Sequence, residues 1–366
     1  MSVPRPRPGI LEITPYVGGK ATVEGGRPAV KLSSNENALG ASPKAIEAFR
    51  AAAANIHRYP DGGCVRLRRA LGRRYNIDPE RIVCGAGSDE LISLLVRGYV
   101  GPGDEVLMSA HGFLMYRLAA LAAGAHVVAA PERDLRADVD ALLARVTSRS
   151  RILFLANPNN PTGSYLPAPE LARLRAGLPE EVLLVIDAAY AEFVTAEDYT
   201  SGLDMAQRHD NVVVTRTFSK IHGLAALRLG WMYADPAIID VINRIRGPFN
   251  VSQPAQDAGL AAIEDVGHEQ RSREHNRIWL AWLQREMEAL GLVVHPSVAN
   301  FLLVDFPRQP GRDAAAADAF LEAAGVIPRR MEAYGLPDSL RFTVGTEEEN
   351  RRLLRVLRDF VERGAA

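Results

Sequence analysis

With 366 residues, the chain is long enough for one large domain and a smaller one, or for two domains of medium size. Its apolar fraction of 47% and charged fraction of 24% are ordinary for a globular protein, and a net charge of −1 excludes the basic field that would attract nucleic acid or an anionic membrane. The two cysteines, Cys64 and Cys84, argue against a disulfide framework or a metal site. Because a secretory signal and an apolar run of about 18 residues are both lacking, we expect a cytoplasmic protein without a membrane partner.

The first predicted segment is an extended arm, rich in proline and glycine, over residues 1–30. Ser42 and Pro43 are typical of the first turn of a helix, which we predict over residues 44–54. A Pro-Asp-Gly turn follows at 58–63, and a basic helix is predicted over residues 65–75.

From residue 81 onwards, strand patterns alternate with helix patterns, which is typical of a mostly parallel, doubly wound sheet. The predicted strands cover residues 81–84, 105–108, 127–130, 152–156, 182–186, 212–217 and, as an edge strand, 229–233; the helices cover 91–99 and 114–123. A long helix over 277–290 leads to strands at 292–295, 300–305, 325–329 and 340–344 and to a closing helix over 347–360. The sequence therefore predicts an α/β fold with an N-terminal arm (1–30), a large sheet domain (31–275) and a smaller α+β domain (276–366).

A lysine lies just beyond the carboxyl end of the predicted strand 212–217, at the edge where open α/β sheets bind ligands. Burial and nearby cations lower the pKa of a lysine at such a place and make its amine a nucleophile, so Lys220 is a candidate for attack on a carbonyl group. Ser219 and Arg228 offer the hydroxyl and the planar N–H fork that suit a phosphate. Taken alone, a Ser-Lys pair is more often a solvated turn.

Polar groups also follow three other predicted strands. The turn through Gly87, Ser88 and Asp89 opens a helix whose free N–H groups suit a phosphate, although an ordinary capped helix would look the same. Asn160 lies on a turn stiffened by prolines, and Asp187 ends an apolar run, where a carboxylate is costly unless it is paired. A plain loop and a helix N-cap are the alternatives for these two residues. Their common place at strand ends favours a single site.

One cofactor, pyridoxal phosphate, needs all of these groups together: an amine for its aldehyde, an acid that keeps its ring nitrogen protonated, donors to its phenolate oxygen, a phosphate cradle and an aromatic face. The candidates are Lys220 for the amine, Asp187 for the acid, Asn160 and Tyr190 for the donors, Gly87, Ser88, Asp89, Ser219 and Arg228 for the cradle, and Phe113 for stacking on the ring. The sequence thus predicts a pyridoxal-phosphate site, with Lys220, Asp187 and Tyr190 as its catalytic residues.

Ordered motifs along nearly the whole chain make this sequence similar to a known family. They are Pro15-Tyr16-Val17, Arg58-Tyr59-Pro60-Asp61, Gly87-Ser88-Asp89-Glu90, Pro158-Asn159-Asn160-Pro161-Thr162-Gly163, Asp187-Ala188-Ala189-Tyr190, Ser219-Lys220, Gly223-Leu224-Ala225 and Gly345-Thr346-Glu347-Glu348-Glu349-Asn350. The sequence resembles the fold-type I pyridoxal-phosphate aminotransferases, which have the aspartate aminotransferase-like fold, and in particular their histidinol-phosphate aminotransferase branch.

The resemblance implies a homodimer, in which Tyr59 reaches the cofactor phosphate of the neighbouring subunit. It also implies that Arg341 binds the carboxylate of glutamate and 2-oxoglutarate, while Arg329 and Tyr16 help to hold the phosphate end of the other substrate.

Several positions depart from the family pattern. Ala188 stands where the family usually has Glu, His111-Gly112 precede Phe113 in place of Pro-Thr, His222 follows the lysine closely, and Pro328 and Arg330 flank Arg329. These departures remove no cofactor ligand, but several of them line the expected substrate mouth. His222 is expected to pack behind the lysine, since the lysine already suffices as a base.

The favoured function is amino-group transfer between glutamate and histidinol phosphate in histidine biosynthesis, with aromatic amino acids as further donors. The alternatives are an aminotransferase whose main donors are aromatic amino acids and a threonine-phosphate decarboxylase, which would release carbon dioxide instead of consuming 2-oxoglutarate. A remote alternative is a cofactor-binding regulator, but the basic helix-turn-helix segment expected ahead of such a domain is missing.

Overall fold

The computed structural model describes residues 4–7, 9–22 and 29–363. In chain order, its strands are β1 (Val30–Lys31), β2 (Ile82–Gly85), β3 (Glu105–Ser109), β4 (His126–Ala130), β5 (Glu132–Arg133), β6 (Arg136–Ala137), β7 (Ser150–Ala156), β8 (Leu183–Asp187), β9 (Val212–Thr217), β10 (Gly230–Tyr233), β11 (Val293–His295), β12 (Phe301–Asp305), β13 (Val326–Ile327), β14 (Arg329–Arg330) and β15 (Ser339–Thr343). Its α-helices are α1 (Pro43–Ala52), α2 (Val65–Tyr75), α3 (Ser88–Tyr99), α4 (Leu114–Ala123), α5 (Val139–Leu143), α6 (Ala168–Gly177), α7 (Leu203–Arg208), α8 (Pro236–Ile245), α9 (Gln253–Glu264), α10 (Val266–Ala289), α11 (Ala314–Ala323) and α12 (Glu347–Arg363).

The central sheet has the strand order β2-β10-β9-β8-β7-β3-β4. Strands β9, β8, β7, β3 and β4 run parallel to their neighbours in this series. Side chains of α3, α4 and α8 form the apolar core on one face, and side chains of α2, α6, α7 and α9 form the core on the other. Because helices cover both faces, the inner strands are apolar runs rather than alternating ones. The predicted α/β, doubly wound fold is confirmed.

Strand β10 lies inside the sheet, between β2 and β9, and runs antiparallel to both. The prediction of an edge strand at 229–233 is therefore wrong. Trp231 and Tyr233 pack into the core on one face and Met232 into the core on the other, so both faces of this strand are buried. Gly230 has no room for a side chain, because a Cβ there would lie 2.5 Å from the backbone nitrogen of Ser88.

A second sheet follows in the C-terminal part of the chain, with the antiparallel order β11-β12-β15-β14. Its apolar face packs against α10, α11 and α12. The predicted strand at 325–329 is divided into β13 and β14 at Pro328, which has no N–H to donate. Helix α10 begins at Val266 rather than at the predicted residue 277.

The first strand belongs with the C-terminal part of the chain, since β1 pairs in parallel with β13. Residues 1–3, 8 and 23–28 of the predicted arm (1–30) lie outside the described residues. The described part of the arm contains a short 3-10 helix at Ile10–Glu12. The division into an arm and two domains stays a prediction. Within the described ranges, no helix is both long and apolar enough to cross a membrane.

Candidate active site

The parallel strands of the central sheet end at a cavity of about 220 Å³, between the two sheets. Strand β7 leads to Asn160, β8 ends in Asp187, and β9 leads to Ser219 and Lys220. The predicted site residues that line the cavity are Tyr16, Ser88, Asp89, Phe113, Asn160, Asp187, Tyr190, Ser219, Lys220, Arg228, Arg329 and Arg341. The structure thus brings together residues that are up to 325 positions apart in the chain.

Asp187 is a buried carboxylate at the end of β8, with only 5% of its surface exposed. It accepts hydrogen bonds from the Tyr116 hydroxyl at 2.7 Å and from the Thr215 hydroxyl at 3.1 Å. Burial raises the pKa of Asp187 to about 6, although both hydrogen bonds oppose the rise. This carboxyl is therefore placed to pair with a cation inside the cavity.

Lys220 has its ammonium group in the cavity, where Nζ donates a hydrogen bond to the backbone oxygen of Ser34 at 3.2 Å. Burial, assisted by the positive charge of Arg341, lowers the pKa of Lys220 to about 8. At pH 7 about a tenth of the amine is therefore uncharged, far more than for an ordinary lysine, and the uncharged form is the nucleophile.

Tyr190 and Asn160 each accept a hydrogen bond from another residue of the site. The Tyr190 hydroxyl accepts a hydrogen bond from Nδ2 of Asn35 at 2.9 Å, and burial raises the pKa of Tyr190 to about 12. Arg341 donates from Nη1 to Oδ1 of Asn160 and from Nη2 to the backbone oxygen of Ser33. The Tyr190 hydroxyl hydrogen and the Asn160 amide group therefore remain as donors toward a bound ring.

The predicted phosphate cradle lies at the N-terminus of α3. Gly87 precedes the helix with φ 85°, and a Cβ at Gly87 would collide with the guanidinium of Arg228. Arg228 donates from Nη1 to the Ser219 hydroxyl at 3.3 Å and from Nη2 to Asp89 at 2.9 Å. The first N–H groups of a helix have no intrahelical partner, so Ser88 and Asp89 offer backbone donors to an anion. The carboxylate of Asp89 itself serves to hold Arg228.

Arg329 and Arg341 are directly opposite each other on the neighbouring strands β14 and β15. Arg329 donates to the backbone oxygen of Val17 at 2.6 Å and lies 5.8 Å from the ring centre of Tyr16. Burial lowers the pKa of Arg341, and the charge of Arg329 adds to this effect. Two positive charges directly opposite each other in a sheet repel. An anion bound between the two guanidinium groups would remove this repulsion, so the pair is suited to anion binding.

Phe113, Tyr59 and His222 differ in how they relate to the cavity. Phe113 lines it and contacts Tyr116 edge to face at 5.7 Å. Tyr59 lies outside the cavity of its own chain, is 84% exposed and stacks on Phe249 at 4.8 Å. His222 is buried against the ring of Phe218 at 5.0 Å, and burial lowers its pKa.

Sequence reasoning missed several residues of the cavity. The loop Ser33–Asn35 lines it, and a run of small polar residues just after a strand could have indicated this place. Thr217 and Tyr334 also line the cavity. Tyr116 and Thr215, which hold Asp187, carry no sequence signal, because their partner is distant in the chain.

Comparisons with known proteins agree with this geometry. The family model of aminotransferase class I and II matches residues 27–357. Over 361 residues, the chain is 59% identical to a histidinol-phosphate aminotransferase of Paramagnetospirillum magneticum, with 99% of both chains covered. Over 362 residues, it is 58% identical to a histidinol-phosphate aminotransferase of Rhodospirillum centenum, which covers 99% of this chain and 100% of that one.

Solved structures show the same fold. Histidinol-phosphate aminotransferase from Sinorhizobium meliloti, solved in complex with pyridoxal-5'-phosphate, superposes with a TM-score of 0.90 at 29% identity and covers 100% of this chain and 99% of that one. Aspartate aminotransferase from Thermus thermophilus with maleate superposes with a TM-score of 0.80 at 23% identity, covering 91% of this chain and 92% of that one. Fold, motifs and relatives together show that the chain belongs to the aminotransferase class I and II family, in its histidinol-phosphate aminotransferase branch.

Proposed function

We propose that this protein is a pyridoxal-phosphate-dependent transaminase that exchanges an amino group between histidinol phosphate and the 2-oxoglutarate/glutamate pair, as a step of histidine biosynthesis. Relatives with 53–59% identity over nearly the whole chain carry the name histidinol-phosphate aminotransferase. The observation that carries the proposal is the cross-strand arginine pair Arg329 and Arg341, which lines the same cavity as Lys220 and Asp187.

The donor set of the cavity fits pyridoxal phosphate. Asp187 is a buried carboxyl at the cavity wall, which suits a protonated ring nitrogen. Lys220 supplies an amine at the cavity wall. The glycine turn lets Arg228 approach the N-terminus of α3, since a Cβ at Gly87 would collide with its guanidinium, and together they form a cradle that suits an anion. When bound there, the cofactor would supply an electrophilic carbonyl and an electron sink for the substrate's α-carbon.

The residues of this chain have separate tasks in the proposed reaction. Nζ of Lys220 would carry the proton to and from the substrate's α-carbon, which its lowered pKa of about 8 favours near physiological pH. Asp187 would keep a proton on the ring nitrogen, held in place by Tyr116 and Thr215. Tyr190 would donate to the phenolate oxygen together with the Asn160 amide.

Arg329 and Arg341 would bind the anionic end of each substrate. A planar fork of N–H groups can hold either a carboxylate or a phosphate by two parallel hydrogen bonds. One pair of arginines could therefore accept glutamate in one half-reaction and histidinol phosphate in the other. Phe113 and Tyr16 would supply apolar walls, which also admit aromatic amino acids as weaker donors.

Substitution of Arg329 tests the substrate. In Arg329→Gln, kcat/KM should fall about a hundredfold for histidinol phosphate, because a charged hydrogen bond left unmade costs about 2–3 kcal/mol. Turnover of phenylalanine should change by less than about threefold, because its only anionic group is its carboxylate, which Arg341 would still bind. Arg330→Gln is the matched control, since Arg330 is the next residue of β14, pairs with Glu332 at 3.3 Å and is not part of the cavity wall.

Three outcomes of this assay would count against the proposal. An equal loss for both donors in Arg329→Gln would make the arginine structural and remove the phosphate assignment. Higher kcat/KM for phenylalanine or tyrosine than for histidinol phosphate in the parent would favour an aromatic aminotransferase. Release of carbon dioxide from threonine phosphate without consumption of 2-oxoglutarate would favour a decarboxylase.

We further propose that the enzyme works as a homodimer in which Tyr59 completes the neighbouring site. Tyr59 and Phe249 form an exposed aromatic pair. Three apolar side chains that precede Tyr59 in the chain, those of Ile46, Phe49 and Ile56, are 40%, 42% and 74% exposed. An exposed aromatic pair of this kind is typical of an interface.

Complementation tests the homodimer. Co-expression of Tyr59→Ala and Lys220→Ala chains should restore about a quarter of the parent activity, because half of the dimers are mixed and each mixed dimer has one intact site. Light scattering that finds an active monomer would contradict the proposal.

We place the enzyme in the cytoplasm. Both cysteines, Cys64 and Cys84, are buried free thiols, which suits a reducing compartment. Fractionation of cells that express the tagged protein would test this location.

A further inference from the structure

The short hairpin β5–β6 is hydrogen-bonded to the segment that carries Phe113. The Glu132 side chain is 3% exposed, and its Oε1 accepts a hydrogen bond from the backbone nitrogen of His111 at 3.1 Å. Its Oε2 lies 2.8 Å from Nδ1 of the same histidine. One buried carboxylate therefore holds both the backbone and the ring of His111, two residues before Phe113.

These contacts belong to a closed ring of hydrogen bonds that returns to the same hairpin. The His111 carbonyl accepts from Nδ2 of Asn159 at 3.2 Å, and the same amide group donates to the Thr162 hydroxyl at 2.9 Å. The hydroxyls of Thr162 and Ser164 are 2.8 Å apart, and Ser164 donates to the Leu135 carbonyl at 2.7 Å. Because the single hydroxyl hydrogen of Ser164 goes to Leu135, Thr162 must donate to Ser164, so that every donor has one acceptor.

The ring ties together two segments that line the cavity from different parts of the chain. One holds Phe113 and the other holds Asn160, which follows Asn159 directly and is bound by Arg341. The Phe113 segment is also closely packed, since a Cβ at Gly112 would lie 2.8 Å from Cε of Met108. A movement of His111 would therefore pass directly to Phe113.

We propose that Glu132 and His111 are positioning residues that fix Phe113 and Asn160 in a common orientation against the bound cofactor ring. This role rests on the proposed function, because it assigns Phe113 and Asn160 to the ring of pyridoxal phosphate. Neither Glu132 nor His111 lines the cavity, so both act through the residues that do.

The test compares Glu132→Ala, Glu132→Gln and His111→Gln with a matched control. The control is His295→Gln, because His295 lies 2.7 Å from the Asp305 carboxylate, and its side chain is 24% exposed as compared with 21% for His111. This second histidine–carboxylate pair is not part of the cavity wall. Two quantities are measured: the visible circular dichroism per bound cofactor, which reports how the ring is held, and the dissociation constant of pyridoxal phosphate from titration of the cofactor-free protein.

Glu132→Ala and His111→Gln should weaken cofactor binding about fivefold and reduce the visible dichroism by about half, because a hydrogen bond to a charged group is lost. Glu132→Gln keeps an acceptor for the backbone N–H of His111 and should lie within about twofold of the parent. His295→Gln should match the parent in both measurements. Hydrogen exchange of the peptide 109–116 should be faster in Glu132→Ala than in the parent, which reports the loosened segment directly.

The proposal is overturned if Glu132→Ala and His111→Gln give the same dichroism and affinity as His295→Gln. Should Glu132→Ala fail to fold, the comparison of His111→Gln with His295→Gln decides the matter alone. Failure of the cofactor assignment looks different, since the parent and every variant, the control included, would then show no visible band from bound cofactor. A different amino donor would change the assay with Arg329→Gln but would leave this band and its dichroism in place.

Discussion

Replacement of Asp187 by asparagine should stabilise the cofactor-free protein while it abolishes turnover. Burial moves the pKa of Asp187 from its ordinary value of 3.8 to about 6. Because one pKa unit corresponds to about 1.4 kcal/mol, the ionised carboxyl costs the folded protein about 3 kcal/mol. Asparagine carries no charge, but Tyr116 and Thr215 donate to different carboxylate oxygens, and asparagine has only one oxygen. The loss of one of these hydrogen bonds lowers the gain in stability by about 1 kcal/mol. The net gain in the free energy of unfolding is about 2 kcal/mol.

The gain has a defined pH dependence. With a raised pKa, the folded protein keeps the Asp187 proton between about pH 4 and pH 6, while the unfolded chain releases it. The stability of the parent therefore falls as the pH rises through this window, and the loss is complete above it. The advantage of Asp187→Asn should be present at pH 8, decline below pH 6 and disappear near pH 4.

Urea unfolding of the cofactor-free proteins at pH 8 and pH 4 measures the effect, with Asp305→Asn as a control of opposite sign. Burial acts to raise the pKa of Asp305, but hydrogen bonds with His295 and Ser339 outweigh it and hold that pKa below its ordinary value. Asp305→Asn should therefore lose stability at pH 8. Saturation with pyridoxal phosphate should stabilise the parent more than Asp187→Asn, because only the carboxylate pairs with a protonated ring nitrogen. An Asp187→Asn protein that is less stable than the parent at pH 8, or that keeps turnover near the parent's, would refute this reasoning.

Three further outcomes follow from the same site. Borohydride should fix the cofactor on Lys220 and on none of the other three lysines of the chain, as mass spectrometry of the reduced protein can show. The rate at which the cofactor-free protein captures pyridoxal phosphate should rise as the pH passes through about 8, because the uncharged amine of Lys220 attacks; Arg341→Met should move this midpoint to higher pH, since a neighbouring cation is removed. Tyr116→Phe should lower kcat about fivefold, because Asp187 loses a hydrogen bond worth about 1 kcal/mol, and an unchanged kcat would remove Tyr116 from the support of that carboxyl.

The part of the site at the carboxyl ends of the parallel strands could be predicted from the sequence. Parallel strands end at one edge of a sheet, so residues that follow three apolar runs had to meet. The structure places Asn160, Asp187 and Lys220 together for this reason. Their chemistry could be inferred because few ligands need an amine, a buried acid and a phosphate cradle at once.

Contacts that depend on register or on helix orientation could not be predicted. The pattern of α4 indicates that Tyr116 is buried, but not that its hydroxyl reaches Asp187, 71 positions along the chain. The exact opposition of Arg329 and Arg341 depends on the turn between β14 and β15. The interior place of β10 depends on its pairing with β2, which is distant in the chain, and its apolar sequence fits an edge or an interior position equally well.

The arginines of the cavity differ in whether a carboxylate of the protein balances their positive charge. Arg228 pairs with Asp89 at 2.9 Å, so its charge is balanced before any ligand arrives. Arg341 and Arg329 donate only to neutral oxygens, those of Asn160, Ser33 and Val17, and form no ion pair within the described part of the chain. Neutral acceptors orient the guanidinium groups without cancelling their charge, and the low dielectric around Arg341 strengthens the remaining field. The arginine pair can therefore discriminate between substrates by charge, because a ligand with a neutral end would leave both cations uncompensated, whereas a carboxylate or a phosphate balances them.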